Sequence, residues 1–240
     1  GGTDTPPRLA DGPYPLVGFS HGYFAPPQFY SELCKHLASH GFVVASIGTE
    51  AGFFQNITRQ AHDTHALLYW MEEQDTSSGA FFEGLLDDSD WAVFGHSNGC
   101  VANMMILEWD NPFTIVVAME PRMNDLPSLS TFDGALHVIA GSNDIVNPPQ
   151  NNAVPFYEEA ASTRRRTYTV IEGAGHNGSL DFPSAINPLS QRHFAGPGAV
   201  SVGILEALPF IPLTVAVVIT VRFGIERKKI GIIRQPESDK

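Results

Sequence analysis

A short apolar run, Trp91-Ala92-Val93-Phe94, leads into Gly95-His96-Ser97-Asn98-Gly99 and on into a helical stretch over 100–108. No other part of the chain constrains the fold as tightly as this strand–turn–helix junction. A serine at so sharp a turn is held in a strained backbone conformation, with its hydroxyl pushed clear of the sheet. Gly95 and Gly99 suit the junction because a Cβ at either position would collide with the neighbouring strand and helix. The helix N-terminus behind the serine offers free N–H groups and a positive dipole end, both suited to a developing oxyanion.

Around this junction strands and helices alternate. Strands are expected over 15–19, 42–47, 113–119, 135–140 and 166–171, and helices over 28–39, 57–73 and 151–162. The helix over 28–39 would bury Phe29, Tyr30, Leu33 and Leu37 on one face. This alternation predicts an α/β protein with a mostly parallel central sheet and helices on both faces. Ligands of such sheets bind at the carboxyl ends of the strands. With no internal repeat in 240 residues, a single core over 1–198 is expected, followed by a tail over 199–240.

The remaining chemistry-bearing residues fall at those strand ends. The strand over 135–140 runs into Gly141-Ser142-Asn143-Asp144, and the one over 166–171 into Gly173-Ala174-Gly175-His176. Ser97, Asp144 and His176 follow the Ser…Asp…His order of the α/β-hydrolases. A serine hydroxyl is a weak nucleophile until an imidazole takes its proton, and a carboxylate must fix that imidazole's tautomer. Two N–H groups are needed for a tetrahedral intermediate. Asn98, directly after the serine, and Tyr23, in the loop Ser20-His21-Gly22-Tyr23, are the candidates.

His21-Gly22-Tyr23, Phe29-Tyr30 and 37–44 (Leu-Ala-Ser-His-Gly-Phe-Val-Val) together resemble the opening of the bacterial cutinase and polyester-hydrolase family. Chlorophyllases and platelet-activating-factor acetylhydrolases are similar there, and Gly95-His96-Ser97 fits all three groups. Ser142-Asn143-Asp144, Pro155-Phe156-Tyr157 and Gly173-Ala174-Gly175-His176 look most like the cutinase branch, so the resemblance covers about 15–178. It implies a serine esterase with an α/β-hydrolase fold, no lid domain and an open cleft, in a secreted or extracytoplasmic setting. Tyr23, Phe24, His96, Arg122, Ile145 and Val146 are expected to border the substrate. There are three departures from the branch. Cys100 follows Gly99 where the branch has glycine, Arg122 stands where it tends to carry tryptophan, and only about fourteen residues precede the first strand.

The partner expected is a small-molecule or polymeric ester. Fourteen Lys and Arg stand against 26 Asp and Glu, and six of the basic residues lie in 222–240. A body so acidic disfavours nucleic acid and polyanionic substrates. Cys34 and Cys100 are expected as buried small hydrophobes. His36 and His40, and His62 and His65, have helical spacing for two metal ligands, but no cysteine or carboxylate cluster completes a site; no metal or organic cofactor is expected. His21 and His96 are expected to shape the turns beside the serine.

In the tail, the uncharged run over 207–221 is fifteen residues long and contains Pro209 and Pro212. A membrane span needs roughly twenty apolar residues. A helix over 200–208 and a hairpin over 214–223 and 230–234 are therefore favoured over an anchor, the hairpin filling a sheet edge. For the chain as a whole, two alternatives to a cutinase-like esterase are a lipid or chlorophyll-type esterase or acyltransferase with the same triad, and a non-catalytic hydrolase-like binding protein.

Overall fold

The computed structural model of the protein describes residues 11–109, 113–123, 128–160, 163, 165–178 and 180, and the backbone of 218–221. In chain order the elements are β1 (Tyr14–Ser20), α1 (Ser31–Ser39), β2 (Val43–Ile47), α2 (Ile57–Thr76), β3 (Leu86–His96), α3 (Asn98–Trp109), β4 (Phe113–Met119), β5 (Ala135–Gly141), α4 (Ala153–Glu159), β6 (Arg165–Ile171) and β7 (Val218–Val221). The strands form one sheet in the order β6-β5-β4-β3-β1-β2-β7, every pair parallel. This is the α/β architecture that the alternation predicts.

The pleat explains why the central strands read as continuous apolar runs. Leu16, Val43, Ala45, Val93, Val116 and Val138 face one core, with α2, α3 and α4 packed over it. Their neighbours Val17, Val44, Phe94, Val117 and Ile139 face a second core with Tyr30, Cys34 and Leu37 of the α1 region. Both faces are buried, so both sets of side chains must be apolar. The two cysteines are free, buried and on opposite faces of the sheet, packed as small hydrophobes.

The sheet order places the site. From β1 the chain steps outward to β2, then returns through α2 to lay β3 on the other side of β1. In such sheets the ligand crevice forms where the winding changes direction, which here is at the carboxyl ends of β1 and β3. Those ends are Ser20 and His96, so the loop carrying Gly22 and Tyr23 and the turn at Ser97 meet there.

Three elements depart from expectation. The helix expected over 28–39 is a 3₁₀ turn, Pro27–Tyr30, followed by α1, because the prolines at 26 and 27 start a tight turn before regular helix can form. β3 begins at Leu86 rather than beside Trp91. Tyr14 and Pro15 pair with Leu86 and Asp87, and the ladder resumes at Val17 and Ala92, so the residues between bulge out. Pairing with β1 overrides the poor strand propensity of that acidic stretch. α3 begins directly after the serine, at Asn98. Of the tail, Val218–Val221 pairs in parallel with β2, inside the strand expected over 214–223. The helix over 200–208, the strand over 230–234 and the boundary at 198 lie outside the described residues.

The junction is tight. A Cβ on Gly95 would lie 2.7 Å from the Cys100 nitrogen, and one on Gly99 only 2.1 Å from the Ser20 carbonyl oxygen. Neither obstacle is a flexible side chain. Gly99→Ala is therefore expected to destabilise the protein by about 3 kcal/mol in urea unfolding, in the upper range for single substitutions. A variant within about half a kcal/mol of wild type would show that α3 can move off β1.

Candidate active site

Ser97 has φ 53°, the left-handed region that a residue with a Cβ rarely adopts. Its N–H donates to the Met119 carbonyl at 3.0 Å, which fixes the turn against the end of β4. The strain points the hydroxyl toward the loop after β6. There His176 Nε2 lies 3.0 Å from Ser97 Oγ. The other ring nitrogen, Nδ1, is 2.8 Å from Asp144 Oδ2. A carboxylate only accepts, so Nδ1 carries the ring proton and Nε2 is free to accept from the serine hydroxyl.

Asp144 is held as firmly as it holds. Its Oδ1 accepts from the backbone N–H groups of Val146 at 2.9 Å and Asn147 at 2.8 Å, and the residue is buried. The Asn147 amide donates to the Glu120 carbonyl at 3.0 Å, with Ser97 Oγ 3.5 Å away. Asn147 belongs to no motif, and its place three residues after Asp144 is the one signal the sequence offers.

Asn98 opens α3, so its N–H has no acceptor one turn back in the helix. The Tyr23 N–H makes no hydrogen bond among the described residues, and its loop ends β1 beside β3. Both expected donors therefore flank the serine turn with unused N–H groups. Of the two expectations for His96, a place at the substrate border fails. The residue is buried, with Nδ1 2.7 Å from the Tyr30 hydroxyl and Nε2 2.9 Å from the His176 carbonyl. Strand alternation puts its ring on the same buried face of β3 as Ala92 and Phe94. Burial pushes its pKa down to about 3, with the neighbouring His176 adding to the effect.

With this geometry in view, a family model described as PET hydrolase-like matches residues 1–187. The chain belongs to the PET hydrolase-like family. It is similar to cutinase 2 of Thermobifida cellulosilytica, with 28% identity over 177 residues that cover 73% of this chain and 65% of that one. Cutinase est1 of Thermobifida alba is 26% identical over 183 residues, 73% of this chain and 57% of that protein. A bis(hydroxyethyl) terephthalate hydrolase of Streptomyces coelicolor is 26% identical over 173 residues, covering 71% and 53%. The chain thus spans between about half and two thirds of the length of the curated relatives it matches. The parallel sheet and its helices are those of the α/β-hydrolase fold, and membership in this family of cutinases and PET hydrolases makes the chain an esterase-family protein.

In this member of the family an aromatic surface borders the site. Tyr23 and Phe24 are about half exposed, and Phe24 stacks on Phe53 with ring centroids 4.0 Å apart. The Tyr23 hydroxyl donates to the Phe53 carbonyl at 3.0 Å. Phe54 is 98% exposed, and Ile145 and Val146, directly after Asp144, are 89% and 62% exposed. Phe53 and Phe54 were not singled out from the sequence, although two phenylalanines in a loop at a strand's carboxyl end are a readable signal. Arg122, expected near the cleft, donates to Asn98 Oδ1 at 3.2 Å.

The paired histidines are otherwise engaged. The His36 and His40 rings lie 4.4 Å apart on α1, and His62 stacks on Trp109 at 4.2 Å. Among the described residues no group of three or more His, Cys, Asp or Glu is arranged to hold a metal ion, and no helix is long and apolar enough to cross a membrane.

The depressed pKa of His96 makes stability depend on pH. Unfolded, the ring protonates near its ordinary 6.5; folded, it stays neutral until about 3. Stability is therefore complete above pH 6.5 and falls as pH drops toward 3, by about 1 kcal/mol per pH unit from this group. Urea midpoints measured between pH 7 and 4 should show this slope. His96→Gln should flatten it, and an unchanged slope in that variant would assign the dependence to other groups.

Proposed function

We propose that the chain is a serine esterase that cleaves carboxylic esters through an acyl-enzyme. The carrying observation is the continuous hydrogen-bonded line from Asp144 Oδ2 through the His176 ring to Ser97 Oγ, at 2.8 and 3.0 Å. Ser97 Oγ attacks the ester carbonyl carbon while His176 Nε2 takes its proton. The backbone N–H groups of Asn98 and Tyr23 hold the resulting oxyanion. The tetrahedral intermediate collapses as His176 returns the proton to the alkoxy oxygen, releasing the alcohol. Water, deprotonated by His176 Nε2, then attacks the acyl carbon, and the second tetrahedral intermediate collapses as His176 returns the proton to Ser97 Oγ, which frees the acid. Asp144 keeps the imidazole in its accepting tautomer and stabilises the imidazolium in both steps.

Apolar esters with an extended or polymeric body are the proposed substrates. Support comes from the exposed Tyr23, Phe24, Phe53 and Phe54, joined to the oxyanion loop, and from Ile145 and Val146 beside Asp144. An apolar acyl or polymer chain lying across these side chains removes both surfaces from water. Between β4 and β5 the described residues form neither helix nor strand, which suits a cleft without a cover there. The relatives named for cutinase and bis(hydroxyethyl) terephthalate hydrolase activity are consistent with such substrates.

Release of p-nitrophenol from short- and medium-chain esters tests the mechanism. Ser97→Ala should lower kcat at least about 10³-fold with folding intact. Equal rates in wild type and variant, or a folded wild type inactive on every ester, would refute it. A second comparison tests the substrate class. Phe53→Ala/Phe54→Ala should leave p-nitrophenyl acetate turnover within about twofold, yet lower the rate on an insoluble aliphatic polyester film roughly tenfold, as expected when remote binding surface is lost. Equal losses on both substrates would remove the aromatic surface from substrate binding.

A further inference from the structure

We infer that Tyr30 and His96 are positioning residues for the proposed ester hydrolysis, forming one proton-ordered bridge between the loop that carries Tyr23 and the main chain of His176. The inference rests on the serine-esterase reading. It goes beyond that reading by assigning work to two buried side chains that touch neither substrate nor the reacting atoms.

Each proton in the bridge follows from its partner. The His176 carbonyl can only accept, so His96 Nε2 carries a hydrogen and donates it across 2.9 Å. A neutral imidazole has a single N–H, which leaves Nδ1 as an acceptor. The Tyr30 hydroxyl, 2.7 Å from Nδ1, is therefore the donor there. That leaves the Tyr30 oxygen to accept the N–H of Gly22, at 3.0 Å. The line runs Gly22 N–H to Tyr30, Tyr30 O–H to His96, and His96 N–H to His176, with each donor used once. His96 keeps the required neutral form because it is buried. The titratable groups facing it are His176, Asp144, His21 and Glu120, whose Oε2 is 3.8 Å away, beyond hydrogen-bond length.

The two ends of the bridge need fixing. β6 pairs with β5 alone among the described strands, so the loop that follows it and carries His176 lacks a second strand to set its height. His96 ends β3, near the middle of the sheet, and tethers that outer loop to the centre. At the other end, Gly22 immediately precedes Tyr23, whose N–H is a proposed oxyanion donor. The approach is possible only for glycine, since a Cβ on residue 22 would lie 2.6 Å from His96 Nδ1. Tyr30 is fully buried, its ring 4.7 Å from that of Phe19, so the hydroxyl cannot swing away. The bridge thus sets the distance between general base and oxyanion loop. A displacement of about 1 Å in such a geometry can lower the rate about 10²-fold.

The test uses the full chain and four variants: Tyr30→Phe, His96→Phe, the double variant and His96→Gln. Tyr30→Phe removes one oxygen and keeps the ring. It should lower kcat for p-nitrophenyl butyrate about 10- to 100-fold, with KM within about threefold of wild type, because alignment and not binding is lost. His96→Phe should lose at least as much. The double variant should lose no more than His96→Phe, since Tyr30 acts through His96. His96→Gln, which restores an N–H donor toward the His176 carbonyl, should recover most of the loss. Nitrogen-15 NMR of the wild-type histidines supplies a check that needs no variant to fold. His96 should show the Nε2-protonated neutral form throughout pH 7 to 5, and a ring titrating near 6.5 or protonated on Nδ1 would overturn the bridge. A folded Tyr30→Phe with kcat within about twofold of wild type, a loss confined to KM, or additive losses in the double variant would equally overturn it. Those results, with wild type active and Ser97→Ala inactive, would remove the bridge alone. A wild type inactive on every ester would remove the esterase reading, and the positioning role with it.

Discussion

The backbone strain at Ser97 is the constraint on which the other features depend. A non-glycine residue at φ 53° costs on the order of 1–3 kcal/mol and persists only where its surroundings leave no alternative. Here they are the Met119 carbonyl that takes the Ser97 N–H, and the close packing of Gly95 on α3 and Gly99 on the end of β1. Relaxing the serine would mean separating α3 from two adjacent strands in the middle of the sheet. The strain is held in place by the core itself, with Cys100, Ala102 and Met104 of α3 buried against the sheet.

Once the turn is fixed, the other parts can be supplied by loops at strand ends, each held by local hydrogen bonds. Asp144 is gripped by two backbone N–H groups of its own turn. Asn98 belongs to a longer chain of amides. Arg122 donates to the Asn98 oxygen, the Asn98 amide to Gln55 at 2.8 Å, Gln55 to Gln60 at 2.8 Å, and Gln60 to the His21 carbonyl at 2.8 Å. All four links run in the same direction, so no amide is asked to donate where it must accept. The chain carries the position of α3 to the loop bearing Phe53 and back to the loop bearing Tyr23. An exposed aromatic surface on loops would otherwise wander; here it stands on a hydrogen-bonded base.

How much of this was legible in the sequence follows from the range of each interaction. The strand, turn and helix around Ser97 are contiguous, so the pattern could be read directly, as could Asp144 and His176 just beyond apolar strands. Expectation failed where partners are distant in sequence. Tyr30 reads as one more apolar residue on a helix face, and nothing local reveals that its hydroxyl meets a histidine 66 positions later. His96 adjoins the serine and so invited a role at the substrate border, whereas the alternation of β3 turns it into the core. Gln55, Gln60 and Asn147 carry no motif, since amides are common in loops and only the fold brings them into line. The early start of β3 was hidden because its partner, Tyr14, lies over seventy residues away and outweighs the acidic composition of 87–90.

The burial of His96 also bears on the proposed chemistry directly. Its ring centroid lies 4.9 Å from that of His176, on which a positive charge develops in each proton transfer. Two like charges at that distance would repel by about 3 kcal/mol at an effective dielectric constant of roughly 20. A solvent-exposed histidine in this position would be partly protonated near neutral pH and would oppose the imidazolium. Enclosing the ring and directing its one N–H at a carbonyl removes that charge and keeps the hydrogen bond. A neutral donor is what the place requires: it must hold the His176 backbone without competing electrostatically with the ring on the same residue. A lysine or arginine could make the same bond to the carbonyl, but it would bring a permanent charge beside the general base. A histidine kept neutral by burial, or an amide, meets both conditions, and the histidine ring places its acceptor nitrogen 2.7 Å from the Tyr30 hydroxyl.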